Sequence, residues 1–205
     1  MKILKCFFVY VLIGVPSAHA LTLRPELNYH FFNNYSVALV ENKFESQGLG
    51  LGLSFFFDRD EFSEFIDDGA LSGFTGFGFQ YVGLKTASLN GTPLTFPENL
   101  ESSLFKFQFL LGASYWGWRL EIPISALYLI EQMTPLEDDE KYGWGIGVLL
   151  YYSLTENFLL GLGFERLSFA HGKNASTGAQ GTLANDIVLS GPKVTMGYNF
   201  HWGAR

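Results

Sequence analysis

The chain has 205 residues, of which 48% are hydrophobic and 17% aromatic but only 16% charged, against about 25% charged in an average soluble domain. A net charge of −7 argues against sequence-independent binding of nucleic acid through a basic surface. After the N-terminal segment there is no run of about 18 apolar residues, which argues against a helical membrane protein, and the composition is too apolar for disorder.

Residues Met1 to Ala20 read as an export signal. Lys2 and Lys5 form the positive n-region, Phe7 to Val15 the apolar h-region, and Ala18-His19-Ala20 the small-x-small cleavage site. Nine apolar residues are too few to span a bilayer, which takes about 20. The mature chain is expected to begin at Leu21, leaving residues 21–205 as one domain with a net charge of −9 once the two lysines are removed. Cys6, the single cysteine, precedes the h-region. The mature chain therefore has no thiol, and its fold must be closed by something other than disulfides.

From Leu21 onward the dominant period is two, the spacing of a strand with unlike faces. Leu21, Leu23, Leu27, Tyr29 and Phe31 alternate with Thr22, Arg24, Glu26, Asn28 and His30. A second segment sets Leu49 to Phe57 at odd positions against Ser46, Gly48, Gly50, Gly52 and Ser54, and a third sets Phe77, Phe79 and Tyr81 against Gly76, Gly78 and Gln80. The fourth runs from Phe105 to Tyr115 opposite Lys106, Gln108 and Gly112, with Leu110 an apolar intruder; the fifth runs from Trp118 to Ile130 opposite Arg119, Glu121 and Ser125. Tyr142 to Leu154 alternate with Gly143, Gly145 and Gly147, and Phe158 to Phe164 with Gly161, Gly163 and Glu165. The eighth sets Val188 and Val194 to Trp202 opposite Lys193, Thr195, Asn199 and His201. Trp116-Gly117 and Thr155-Glu156-Asn157 are tight turns, whereas 32–43, 86–103, 131–141 and 170–185 read as long loops. With the short turns at one end, all four long loops fall at the other. The connection from Asp58 to Ala70, on the short-turn side, is long and acidic, with a brief helix expected near Phe62 to Ile66.

Alternation alone leaves open whether the apolar face points into a soluble barrel or outward into lipid. Three features favour lipid. A chain without spanning helices can cross a bilayer only as a closed barrel, and strands of about 9–11 residues suffice. Aromatics gather near strand ends (Tyr29, Phe31, Tyr115, Trp116, Trp118, Tyr142, Trp144, Tyr198, Phe200, Trp202), as in interfacial girdles. The opposite, glycine-rich face carries charges of both signs, and the lumen of an eight-stranded barrel is just wide enough for side chains to fill. Arg24, Glu26, His30, Lys106, Arg119, Glu121, Glu165, Lys193 and His201 are the expected lumen network.

The C-terminal residues Thr195-Met-Gly197-Tyr-Asn-Phe200-His-Trp202 look like the polar-x-Gly-x-x-aromatic-x-aromatic signal read by the barrel assembly machinery of the outer membrane. With the export signal and eight alternating segments, the chain resembles the small eight-stranded bacterial outer-membrane barrels, such as the outer membrane protein A transmembrane domain and the opacity-type proteins. The resemblance implies an all-β, eight-stranded antiparallel transmembrane barrel with short periplasmic turns and long extracellular loops. It also implies a location in the bacterial outer membrane, with outer-membrane lipid, lipopolysaccharide and the assembly machinery as partners. Thr195, Gly197, Phe200 and Trp202 carry the assembly signal. Gly203-Ala204-Arg205 is a departure, since the last aromatic is usually final in that family. No peptidoglycan-binding domain is expected after the barrel.

Little in the sequence points to catalysis. The Gly-x-Gly strings lie within strands and lack the strand-to-helix context of a phosphate-binding loop. Glu165, Ser168 and His171 are the only local nucleophile–base–acid candidates. On a regular strand Ser168 falls on the face opposite the other two, and a bulge would be needed to join them. His30 and His201 lie on the first and last strands, neighbours in a closed barrel, where a metal or proton-relay pair or plain lumen hydrogen bonding could use them. Glu137, Asp138, Asp139 and Glu140 form an acidic extracellular loop suited to solvation or to divalent cations. No cofactor or metal is expected. The expected function is a structural or surface-interaction barrel with a plugged polar lumen, without enzymatic activity. A narrow channel or small-ligand transporter, and a lipid A-modifying enzyme, are the alternatives.

Overall fold

The structure is a computed structural model and describes residues 21–36, 42–58, 71–89, 92–93, 101–134, 137–173 and 180–202. The export signal, the acidic 58–70 connection beyond Asp58 with its expected helix, and the final three residues lie outside this set. The described residues form eight long strands: β1 Leu21–Ser36, β2 Asn42–Asp58, β3 Leu71–Leu89, β4 Glu101–Tyr115, β5 Trp118–Thr134, β6 Glu137–Ser153, β7 Phe158–Lys173 and β8 Gln180–Tyr198. Residues Phe200–Trp202 continue β8 beyond Asn199, and Thr92–Pro93 adds a short pairing to β3. Each strand pairs antiparallel with the next, and β8 returns to β1, closing the sheet.

Closure fixes the geometry of everything inside. Starting at Leu23, the ladder passes through Phe55, Phe77, Phe109, Ile124, Ile146, Arg166 and Ser190 and comes back to β1 at Asn33, ten positions beyond its start. Eight strands with that stagger tilt by about 40° and climb about 2.5 Å of barrel axis per residue. An apolar band about 25 Å tall, usual for these barrels, thus needs about 10 residues per strand. Strands of 15 to 19 residues overshoot it, so the barrel wall continues above the band.

That overshoot corrects the expected loops. Each of the stretches 32–43, 86–103, 131–141 and 170–185 is in part ladder: β1 and β2 stay paired to Ser36 and Asn42, and β5 and β6 to Thr134 and Glu137. The acidic residues Glu137, Asp138, Asp139 and Glu140 are accordingly not a loop but the first residues of β6, opposite Thr134, Gln132, Glu131 and Ile130. The reason is an inversion of polarity along the strands. Within the band, large apolar residues such as Leu51, Phe79, Phe107, Ile124 and Val148 are exposed on the outside. Above it, Phe32, Val82, Leu84, Leu104, Leu127, Leu129, Leu167, Phe169 and Leu189 turn inward and pack as one cluster, while Lys85, Glu101 and Arg166 face out. Alternation persists, but its sign reverses.

The turn between β4 and β5 shows why the opposite end is tight. Trp116 and Gly117 both have positive φ, 47° and 80°, the pair of angles that lets a two-residue hairpin follow the strand twist. Trp116 is 78% exposed there, next to Tyr115, and Trp118 packs on Tyr152 at 4.8 Å, giving an aromatic rim.

Because every strand is held on both sides, the folded barrel should survive sodium dodecyl sulfate without heating. Unboiled and boiled protein are expected to migrate as separate bands; identical mobility would contradict the closed ladder.

Candidate functional site

The lumen gathers the charged residues into two levels. The lower one is centred on Arg24 of β1, which is fully buried. Its Nη1 and Nη2 donate to the two oxygens of Glu121 on β5 at 2.6 and 2.7 Å, its Nε donates to Glu26 at 2.8 Å, and Nη2 reaches the Tyr151 hydroxyl at 3.3 Å. Arg119 Nε donates to the same Glu121 oxygen at 2.6 Å, and the Ser54 hydroxyl donates to Glu26 at 2.9 Å. Two cations and two carboxylates thus balance, with the bidentate fork that suits guanidinium and carboxylate.

Aromatic faces complete this level. The Arg24 guanidinium lies 4.4 Å from the ring centres of both Phe56 and Tyr151, and that of Arg119 lies 4.1 Å from Phe56 and 3.5 Å from Phe74. Such cation–π contacts gain strength where water is excluded. Phe56, Phe74 and Leu110 also form a small apolar cluster of their own. The stem of Arg24 has room because Gly197 lies beside it: a Cβ there would meet Arg24 Cδ at 2.8 Å.

The upper level is centred on Glu165 of β7. It accepts from Lys106 Nζ at 2.5 Å and Lys193 Nζ at 3.3 Å, and His30 Nδ1 lies 3.4 Å from it. His30 stacks on Phe32 at 5.2 Å, the first ring of the apolar cluster above. Between the two levels Asn28 and Gln80, each 1% exposed, flank the glycine wall of β2, with Gly52 beside the Asn28 amide and Gly50 beside that of Gln80.

Of the expected network, Arg24, Glu26, Arg119 and Glu121 therefore meet at one level and His30, Lys106, Glu165 and Lys193 at another. His201 joins neither. It is exposed at the tight-turn end, its Nδ1 2.9 Å from the Thr22 hydroxyl. Thr22 and His30 are eight positions apart on β1, roughly 26 Å along the strand, so the two histidines do not form a pair. Thr195 and Gly197 face the lumen and Phe200 faces out, while Phe200, His201 and Trp202 seal the ladder against Leu23, Thr22 and Leu21. Among the described residues no group of three or more His, Cys, Asp or Glu could hold a metal.

The candidate Glu165, Ser168 and His171 is divided by the wall. A bulge does occur between Phe169 and His171, and it puts His171 opposite Tyr142 and Ser168 opposite Trp144, both on the outer face. Glu165 remains inside, held by lysines. The expected separation of Ser168 from His171 is thus corrected, and it is the acid that is out of reach.

Sequence reasoning missed the rings that cover the arginines. Phe56 stands between two outward phenylalanines, and Tyr151 shares the phase of Gly143, Gly145 and Gly147. Their phase was the available signal. Lys141, also buried, was missed because 131–141 read as loop.

No protein-family model matches the chain, and no curated protein is significantly similar to it in sequence. Solved structures share its fold. Neisserial surface protein A matches with a TM-score of 0.50 and 11% identity over 89% of this chain and 96% of its own. The attachment invasion locus protein Ail of Yersinia pestis, solved with the heparin analogue sucrose octasulfate, matches with 0.47 and 12% over 88% and 99%. The outer membrane protein OprG of Pseudomonas aeruginosa matches with 0.44 and 11% over 91% and 97%. The fold is that of a small outer-membrane β-barrel.

Removing Glu121 leaves the buried Arg24 with Glu26 alone and takes from the half-buried Arg119 its carboxylate partner. Glu121→Ala is expected to cost about 3–5 kcal/mol, read as the shift in urea-induced unfolding in detergent micelles. Gly197→Val should lower stability in protein refolded in vitro, where no assembly machinery acts, because its side chain displaces Arg24; unchanged stability would leave Gly197 with an assembly role alone.

Proposed function

We propose that this chain is an integral outer-membrane barrel, exported by a cleavable signal at residues 1–20, whose lumen is a structural plug and whose projecting outer end is a recognition surface. One observation carries the reading: the bore is crossed at three successive heights by side chains bonded or packed to one another. The Arg24–Glu121–Arg119 level, the Glu165 level and the nine-residue apolar cluster each lie across the bore. A solute would have to break buried ion pairs and then cross an apolar layer. Side chains fixed by several partners each also suit a scaffold better than a gate.

The same arrangement supports a non-enzymatic role. The charged groups of the lumen are engaged with one another, and the one serine–histidine candidate is separated from its carboxylate by the barrel wall. The projecting part of the wall is polar outside and apolar inside, as in a soluble barrel. It offers a rigid platform on which the connections at that end can be displayed to an extracellular partner.

Planar-bilayer recording is the direct test. Wild-type protein is expected to show no large stable conductance, and Arg119→Ala is expected to stay silent too, since the Glu165 level and the apolar cluster remain. A steady open pore in the wild type would overturn the plug and favour a narrow channel. Lipid A from cells with and without the protein should have the same acyl pattern by mass spectrometry; a changed pattern would reinstate the enzyme.

A further inference from the structure

The outer surface changes character at a definite height. Tyr81 of β3, Phe105 of β4, Tyr128 of β5 and Tyr142 of β6 are partners in register and form a continuous aromatic row, with ring centres 5.2, 6.0 and 5.1 Å apart. One step further along the strands the outward positions are Gly83, Ser103 and Ile130, and one step beyond those Lys85 pairs with Glu101. Apolar wall thus gives way to hydroxyl, amine and carboxylate within four residues.

At this border the wall is hollowed. A cavity of about 320 Å³ opens between β3, β4 and β5, with Tyr81, Gly83, Lys85, Glu101, Ser103 and Ile130 in its lining. Its volume falls within the range of small-ligand sites. Gly83 makes the hollow: a Cβ built there would have only the Tyr81 hydroxyl within 4 Å, at 3.7 Å. Tyr81 and Ser103 hydroxyls lie 3.3 Å apart, and Lys85 Nζ lies 2.9 Å from Glu101.

We propose that this notch holds the sugar headgroup of an outer-leaflet glycolipid, whose acyl chains lie along the aromatic wall below it. The inference rests on the outer-membrane reading above. Its chemistry is that of a saccharide: hydroxyls, an amine and a carboxylate within one small hollow, with a tyrosine at the edge. The amine can pair with an anionic group on a sugar while the carboxylate and the hydroxyls accept from and donate to its hydroxyls, which suits an acidic saccharide better than a bare phosphate. Both are well exposed, and an exposed pair contributes little to stability, so their donors and acceptors can be shared with a ligand. The lipid source follows from continuity: the notch begins where the lipid-facing row of rings ends, at the depth where a glycolipid carries its first sugars.

The test uses purified wild-type protein in detergent, titrated with deep-rough lipopolysaccharide and read by native mass spectrometry. One lipopolysaccharide per barrel is expected. Gly83→Trp, which fills the hollow from outside, and the double variant Lys85→Ala/Glu101→Ala should each weaken binding at least tenfold while keeping the unboiled gel mobility of a folded barrel. If Gly83→Trp fails to fold, the double variant decides. Equal binding by the wild type and the folded variants would overturn the proposal, as would no binding by the wild type. Equal affinity for the free core oligosaccharide would overturn it in favour of a soluble glycan, and equal affinity for phosphatidylethanolamine in favour of unselective lipid contact. Membrane fractionation tests the outer-membrane reading separately, so failure of the one is distinguishable from failure of the other.

Discussion

The cross-section of the closed ladder is the constraint on which the rest of this structure depends. Every backbone amide crossing hydrocarbon must be paired, and eight strands with a stagger of ten satisfy that condition while enclosing a bore only about as wide as the side chains that enter it. The interior must therefore be filled, and each large side chain needs a small neighbour. Arg24 fits because Gly197 is beside it, and Tyr151 fits because Gly161 faces its ring. Glycine-rich strands opposite bulky ones are the sequence form of that requirement.

Filling the bore with charge would be costly if the charges were left alone, since ions removed from water must be paired and hydrogen-bonded. The lower level meets the condition with two carboxylates for two guanidiniums, whereas the upper level leaves one carboxylate for two lysines. Around Arg24 and Arg119 the guanidiniums share two carboxylates and lie on aromatic faces, so their planes as well as their donors are used. Around Glu165 a single carboxylate gathers two lysines and a histidine, and the apolar cluster begins directly above. The wall stays one continuous ladder throughout, while what fills it changes from ionic to apolar as the outside changes from apolar to polar.

This inversion explains which parts of the molecule could be read in advance. Eight strands, their antiparallel order and the outward face within the band follow from alternation of large apolar residues with glycine and polar residues, because one solvent, lipid, acts along that whole stretch. Where the strands project above the band the outside becomes polar and the inside apolar. Phe32, Leu127, Leu129, Leu167 and Phe169 then fall out of phase with the residues below them, and the pattern reads as irregular. The acidic run at Glu137 to Glu140 looked like a loop for this reason, although its backbone is paired with β5.

By itself the sequence determined the strand count, the lipid-facing surface and the polar character of the bore, since each is a property of alternation summed along a strand. It did not determine which lumen charges meet. Arg24 and Glu121 are 97 positions apart, and Lys106 and Glu165 are 59. Their partnership depends on the stagger of the ladder, which sets the height of every residue relative to residues on distant strands. His30 and His201 share a face and adjacent strands, yet the register puts them at different heights. The bulge beside His171 likewise moved one side chain through the wall. Heights and bulges belong to the closed sheet as a whole, so only the tertiary structure decided them.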